Sequence, residues 1–586
     1  MPEDKDLASI AEARNLARRA AAAQAWLERL SQELVDGIVA AMAAAAGENS
    51  RRLARMAWEE TGFGNPDDKH IKNSIAYRDV HNHIKGMRTV GILARDEERK
   101  VVEIAAPMGV VAAIIPSTNP TSTAIYKLLI CIKARNAVVV SPHPAAQGCI
   151  AETVRVMSEA GKAAGLPDDA ILCMKNVTLE GTRELMRLKE IALIIATGGM
   201  GLVKAAYSSG KPAFGVGPGN VPAYVHPSAD IAKAARDILA GKCFDHGTVC
   251  ASEQAVVVDR EAAPRLRDEM NRNGAYFLSE SEAQAVAGVL VGADLHVNPK
   301  LVGKPAEEIA AAASIDVPPG TRCLIATLDA VGPSEPLSIE KLSPVLAWYE
   351  VSDWHEGCER CKEILRFGGM GHTLAIHCNE EEIVTAFGME KPASRICVNT
   401  PASYGAVGYS TSLPPSLTLG CGAAGNNITS DNITPLHLLD IKRIAYETRE
   451  VIPAWSEAAE TVGGENMESL PSPSTSDRRA LEKLVDEFLD QRNACSVKPQ
   501  PSAAPQAGIE ELPASEADDE VRKTPAAAPH TPAAPLPPPP KPVDFVSEWE
   551  VRQALRNGES ILIHDKTIIT PLARELGERE GVFVKP

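Results

Sequence analysis

The chain has 586 residues, 45% of them hydrophobic, and its 77 acidic against 60 basic side chains leave a formal net charge of −17. That length and apolar fraction suit a globular protein of about three or four domains with a large core. The acidic balance argues against nucleic acid as a partner, because phosphate contacts need clustered Lys and Arg; without an apolar run of about 18 residues, no membrane partner is expected either.

Met1–Asp6 is acidic rather than signal-like, and the twelve cysteines show no paired framework, so a soluble, cytoplasmic chain with free thiols is expected. Residues 7–60 carry apolar side chains at helical spacing and predict two or three helices packed on a larger body. Thr89–Pro107 sets a charged turn, Asp96–Lys100, between apolar arms, which predicts a hairpin.

From Val110 to Val225 apolar runs alternate with helical stretches. The runs are Val110–Ile115, Ala137–Val140, Ile171–Met174 and Ile191–Ile195, and the helices about Thr121–Arg135, Ala145–Ala164 and Thr178–Leu188. Continuous hydrophobicity marks strands buried on both faces, and the repetition predicts an α/β fold with a doubly wound parallel sheet. Ligands bind such sheets at the carboxyl ends of the strands. Pro116-Ser117-Thr118-Asn119, Ser141-Pro142-His143 and Thr197-Gly198-Gly199 stand there, without the Gly-x-Gly-x-x-Gly of a standard Rossmann turn.

Residues 1–240 thus read as N-terminal helices plus a nucleotide-binding domain, and 241–425 as a second α/β domain. A closing segment, 426–455, contains Asp431–Pro435 and a predicted helix through Ala445. Residues 456–542 are Pro/Ala-rich linker. Within it, 476–492 places Leu481, Leu484, Val485, Phe488 and Leu489 on one helical stripe, too short to fold undocked. Residues 543–586 predict a small module: helix Ser547–Arg556, strand Ile561–Ile563, Thr570 capping a helix opened by Pro571, and strand Val582–Val584.

The chemistry centres on Phe244–Gln254, where Cys250 stands at the junction of a His-Gly-Thr turn and the apolar strand Ala255–Val258. A thiol so placed can be accessible and activated, although a lone cysteine is more often a small buried hydrophobe. Thiolate attack on a carbonyl creates an oxyanion that needs a donor. Asn119 is the candidate; the equal reading is a cap on the helix that follows it. The single Cys-x-x-Cys, Cys358–Cys361, lacks a second pair, so no metal is expected. His246 and His372 are given no role, since histidines are most often structural hydrogen-bonding residues.

Ile115-Pro116-x-x-Asn119-Pro120, Thr197-Gly198-Gly199, Gly217-Pro218-Gly219-Asn220, Cys250-Ala-Ser-Glu-Gln and Glu340-x-x-Ser-Pro-Val resemble, in order and spacing, the aldehyde dehydrogenase superfamily over about residues 5–450. The stretches PSTNPTSTAIYK, SPHP, GVGPGN, CASEQ and SLTLGCG are similar to its CoA-acylating branch, the acetaldehyde and propanal dehydrogenases. The resemblance implies that Cys250 is the nucleophile and Asn119 the oxyanion donor. It implies an NAD site at Ile115, Pro116, Ser117 and Thr118, at Ser141, Pro142 and His143, and at Gly198, Gly199, Gly217 and Leu419, with Glu340 on the nicotinamide ribose.

Hydrolytic members carry a general-base glutamate where Phe214–Pro218 has no carboxylate. The expected fate of the Cys250 thioester is therefore attack by CoA, giving acyl-CoA and NADH from a short-chain aldehyde. A hydrolytic enzyme and a non-catalytic scaffold remain as alternatives. The small residues Gly422-Ala423-Ala424-Gly425 suggest a roomy pocket. The stripe 476–492 and the module 543–586 resemble segments that load enzymes into bacterial microcompartments, which would add shell or cargo proteins as partners; docking on its own body or mediating oligomerisation is the other reading of the stripe, and a homo-oligomer is expected.

Overall fold

The computed structural model describes residues 4–451, 543–546, 548–557 and 559–584, in a body within 1–462 and a C-terminal unit within 463–586. In the body, long helices Lys5–Leu27 and Gln32–Thr61 precede the sheets. Asp4 caps the first, Ser31 Oγ accepts from Leu34 N at 3.3 Å to start the second, and Gly62, at φ 67°, ends it. The short helix Pro66–Ser74 has every start signal: Asn65 accepts from Asp68 N at 2.9 Å, proline is at the first position, and Asp67 and Asp68 fill the first turn.

The predicted hairpin forms from β1 (Gly91–Asp96) and β2 (Val101–Pro107). A five-stranded sheet follows, built of β3 (Val110–Ile115), β4 (Val138–Pro142), β5 (Ile171–Cys173), β6 (Ile191–Thr197) and β7 (Ala213–Val216), in the order β5-β4-β3-β6-β7 and all parallel. Every residue of β3 and β4 is buried, as continuous apolar runs require of strands covered on both faces. The chain winds outward from β3 to β5 and then returns to β6, so the switch point lies between β3 and β6.

The second sheet has seven parallel strands in the order β10-β11-β12-β9-β8-β13-β14. They are β8 (Val221–Val225), β9 (Glu253–Asp259), β10 (Ala275–Phe277), β11 (Cys323–Thr327), β12 (Val345–Val351), β13 (Gly371–His377) and β14 (Ala393–Val398). Because β8 pairs with β9 and β13, the chain passes from one sheet to the other at Gly217–Asn220, before the boundary expected at 240.

The closing segment differs from expectation. Leu439–Ala445 is not a helix but a strand, β15, antiparallel to β2 from Leu439 opposite Pro107 to Ala445 opposite Val101. The alternation Leu439, Ile441 inward and Asp440, Lys442 outward has the period of a strand, and the inward pair packs on the core of the first sheet.

The C-terminal unit forms a parallel sheet β16-β17-β18 (Val543–Val546, Ile561–Ile569, Phe583–Val584), with helices Glu548–Asn557 and Pro571–Arg579. Its core is small: Val546, Val551, Ile563 and Ala573. The predicted stripe at 476–492 lies outside the described residues.

Candidate active site

Cys250 belongs to the turn between the helix Ile231–Cys243 and β9. Three successive residues there, Asp245 (φ 48°), His246 (φ 51°) and Gly247 (φ 77°), take the left-handed conformation, which disfavours each non-glycine residue by roughly 1–2 kcal/mol. A buried network offsets this. Asp245 Oδ2 accepts from Lys69 Nζ at 2.9 Å, Lys72 Nζ at 2.5 Å and Thr248 Oγ1 at 2.9 Å, and its Oδ1 accepts from Asn65 N at 2.8 Å. Gly64 makes this approach possible: a Cβ there would stand 1.7 Å from Asp245 Oδ1.

Asn119 follows β3 and precedes the helix Pro120–Lys133, yet its side chain makes no capping bond. Its Nδ2 donates to Thr248 O at 3.3 Å and Thr118 Oγ1 at 3.1 Å, while its Oδ1 accepts from Lys72 Nζ at 2.6 Å. The amide therefore faces the cysteine turn rather than its own helix.

Between the strand ends and this turn lies a cavity of about 480 Å³. It brings together Cys250, Asn119, Glu340 and the predicted Ile115, Pro116, Ser117, Thr118, Ser141, Pro142, His143, Gly198, Gly199 and Gly217. Leu419 is not among its lining residues: it is buried against Phe244, Val249 and Ala251 and paired through its backbone to Asn432. The cavity also takes in Thr178, Leu179 and Thr182, which sequence reading missed; Thr182 Oγ1 and Ser141 Oγ share a hydrogen bond at 2.9 Å. The helix Met200–Tyr207 starts at Gly199 on the cavity wall, an N-terminus suited to phosphate. Strand ends at a switch point, a helix start and a carboxylate fit a dinucleotide.

Glu340 Oε1 accepts from Gly219 N at 3.0 Å. Burial pushes its carboxyl up to about 7, against the Gly219 N–H and the charges of Lys242 and Lys341. Burial likewise pushes the Cys250 thiol up to about 12, reinforced by Glu340 and Cys421 and opposed by Arg395. Arg395, in β14, is a buried guanidinium that donates to the carbonyls of His372 (2.9 Å), Gly420 (2.6 Å) and Ser430 (3.1 Å) and to Asn432 Oδ1 (3.3 Å). The sequence signal for it is a charge inside a strand-like run. His372 is buried, shares a 2.9 Å hydrogen bond with Thr373 Oγ1, and is held neutral by burial and then Arg395, its pKa lowered to about 3. Its Nε2 has no partner among the described residues.

Of the cavity's lining side chains, Glu340 is the single carboxylate. At the end of β7, a Cβ on Gly215 would lie 2.9 Å from Val203 Cγ1 and 3.0 Å from Tyr207 Cε2, so that position has no room for an acid.

The cavity sets the Cys250 thiol against the carboxyl ends of the strands, where doubly wound sheets bind their ligands. The model described as Aldehyde dehydrogenase family matches residues 4–277. The acetylating aldehyde dehydrogenase of Geobacillus thermoglucosidasius has 52% sequence identity and a TM-score of 0.76 over 77% of this chain and 100% of that one. The chain belongs to the aldehyde dehydrogenase family.

The bifunctional aldehyde-alcohol dehydrogenase of Escherichia coli is 41% identical over 451 residues, 76% of this chain and 50% of that protein. The chain thus spans about half the length of such curated relatives. A propionaldehyde dehydrogenase from the fucose utilisation bacterial microcompartment of Clostridium phytofermentans is 28% identical, with a TM-score of 0.68 over 75% and 98% of the two chains. The Rhodopseudomonas palustris propionaldehyde dehydrogenase, solved with bound CoA and an acylated cysteine, is 25% identical, with a TM-score of 0.69 over 74% and 97%.

Proposed function

We propose that this protein is a CoA-acylating aldehyde dehydrogenase, converting a short-chain aldehyde, NAD and CoA to acyl-CoA, NADH and a proton. The observation that carries the reading is the cavity's carboxylate inventory: among the described residues Glu340 alone lines it, held by the Gly219 N–H.

Cys250 Sγ adds to the aldehyde carbon as its proton passes to solvent, the proton released in the overall reaction, and the developing oxyanion takes hydrogen bonds from Asn119 Nδ2 and the Cys250 N–H. The two present bonds of Asn119 Nδ2, at 3.1 and 3.3 Å, are long enough to be exchanged for that one. The strand ends and Glu340 would hold NAD, with the carboxylate on its ribose, and NAD would supply the hydride acceptor. Loss of hydride would leave a thioester on Cys250; Glu340, the one carboxylate lining the cavity among the described residues, is held by the Gly219 N–H, and the thioester persists until the CoA thiol displaces Cys250, which takes up the CoA thiol's proton.

The test is NADH formation from a panel of short aldehydes, with and without CoA, beside Cys250→Ala. Loss of activity in that variant also separates the enzyme from a non-catalytic scaffold.

We further infer packaging in a bacterial microcompartment through 476–492 and 543–586, supported by the tail's sequence and by the likeness to a microcompartment enzyme. Residues 456–586 fused to a reporter should then gather inside compartments; a reporter that stays diffuse in compartment-forming cells refutes it.

A further inference from the structure

Three cationic and anionic side chains outside the cavity, Lys69, Lys72 and Asp245, are buried between the loop that carries Asn119 and the turn that carries Cys250. Each of the three N–H bonds of Lys72 is used: Asn119 Oδ1 at 2.6 Å, Asp245 Oδ2 at 2.5 Å and Thr248 Oγ1 at 3.0 Å. Lys69 repeats the link, donating to Asp245 Oδ2 at 2.9 Å and to Thr118 O at 3.3 Å. Asp68 closes the group, its Oδ2 accepting from Asp245 N at 2.7 Å.

We propose that Lys72 is a positioning residue for the reaction: it fixes which end of the Asn119 amide faces the thiol. An ammonium only donates, so the atom it meets must be the amide oxygen. Nδ2 is thereby turned toward Thr248 O and the cysteine turn. With Lys72 removed, only the longer bonds of Nδ2 to Thr248 O at 3.3 Å and Thr118 Oγ1 at 3.1 Å oppose a half-turn of the amide, which would present its oxygen to the oxyanion and replace attraction with repulsion. Asp245 anchors Lys72 and, through its own left-handed backbone, shapes the turn that presents Cys250. Buried ion clusters are weak sources of stability, and this one spans the two loops that must hold their spacing during the reaction.

The inference rests on Asn119 being the oxyanion donor, and a mutant cycle separates the two. The variants are Asn119→Ala, Lys72→Met and the double variant, with kcat, KM and the rate of Cys250 alkylation by iodoacetamide measured on each. Asn119→Ala and Lys72→Met are each expected to lower kcat about 10²-fold. KM for NAD and alkylation should stay within about threefold of the parent, and the double variant within about threefold of Asn119→Ala. Lys72→Met retaining kcat beside a slow Asn119→Ala overturns the positioning role alone, as do multiplying effects in the double variant. Full rate in Asn119→Ala overturns the donor assignment and the inference with it. If Lys72→Met fails to fold, Lys72→Met/Asp245→Asn removes the charge left without its partner, and the same cycle with Asn119→Ala is read on that background.

Discussion

Gly219 donates its amide to Glu340 Oε1 at 3.0 Å, and its lack of a side chain lets the catalytic turn close on the same residue: a Cβ there would fall 2.3 Å from Cys250 O and 3.1 Å from the His372 ring. Gly219→Ala must displace backbone on the cysteine side. It is expected to lower kcat by more than about tenfold while the far end of the cavity stays intact, so that an adenosine nucleotide still binds with near-parental affinity in calorimetry. Parental kcat in this variant would contradict the close approach.

The Glu340 carboxyl, raised by burial to about 7, gains its charge across the neutral range. If Glu340 holds the ribose as proposed, its ionised form would accept hydrogen bonds from the ribose hydroxyls, and hydrogen bonds to a charged group are the stronger kind. NAD affinity should therefore rise as pH increases from 6 to 8 and level off above. Glu340→Gln should bind about 10- to 100-fold more weakly at pH 8 and lose the pH dependence. Fluorescence titration of NADH binding at a series of pH values checks both.

Cys250, with its thiol pushed up to about 12 by burial, is protonated in the free enzyme at neutral pH. Because the thiolate is the nucleophile, alkylation by iodoacetamide should climb about tenfold per pH unit between 7 and 9, with no plateau near the ordinary cysteine value. Peptide mapping of the alkylated site gives the rate for Cys250 itself. A plateau below pH 8 would place the thiol in a more polar setting than the one described.

The buried strands of the first sheet were legible because both faces are covered, so that Val110–Ile115 is apolar throughout. The passage to the second sheet was not: Val221–Val225 contains Pro222, a residue that argues against a central strand, and the register shifts at Val221/Pro222 to take it in. β15 was misread because its exposed Asp440, Lys442 and Arg443 resemble a charged helix surface, while only its pairing with β2 fixes the strand. Cys250 and Asn119 were candidates from their places in the chain and Glu340 only through the family resemblance, and the cavity brings the three together. The lysines behind them were not legible, since Lys72 and Asp245 lie 173 residues apart and nothing local in the helix Pro66–Ser74 announces a partner. Leu419 followed its motif by analogy, and the backbone pairing with Asn432 turned it into the apolar cluster instead.

The central claim is that the Cys250 thioester waits for CoA, and the direct measurement is NADH release on mixing enzyme, NAD and aldehyde in a stopped-flow cell, first without CoA and then with it. The account predicts a burst of about one NADH per active site without CoA, followed by turnover at least about tenfold slower than with CoA. Continuous turnover at the same rate with and without CoA, yielding free acid, would contradict it.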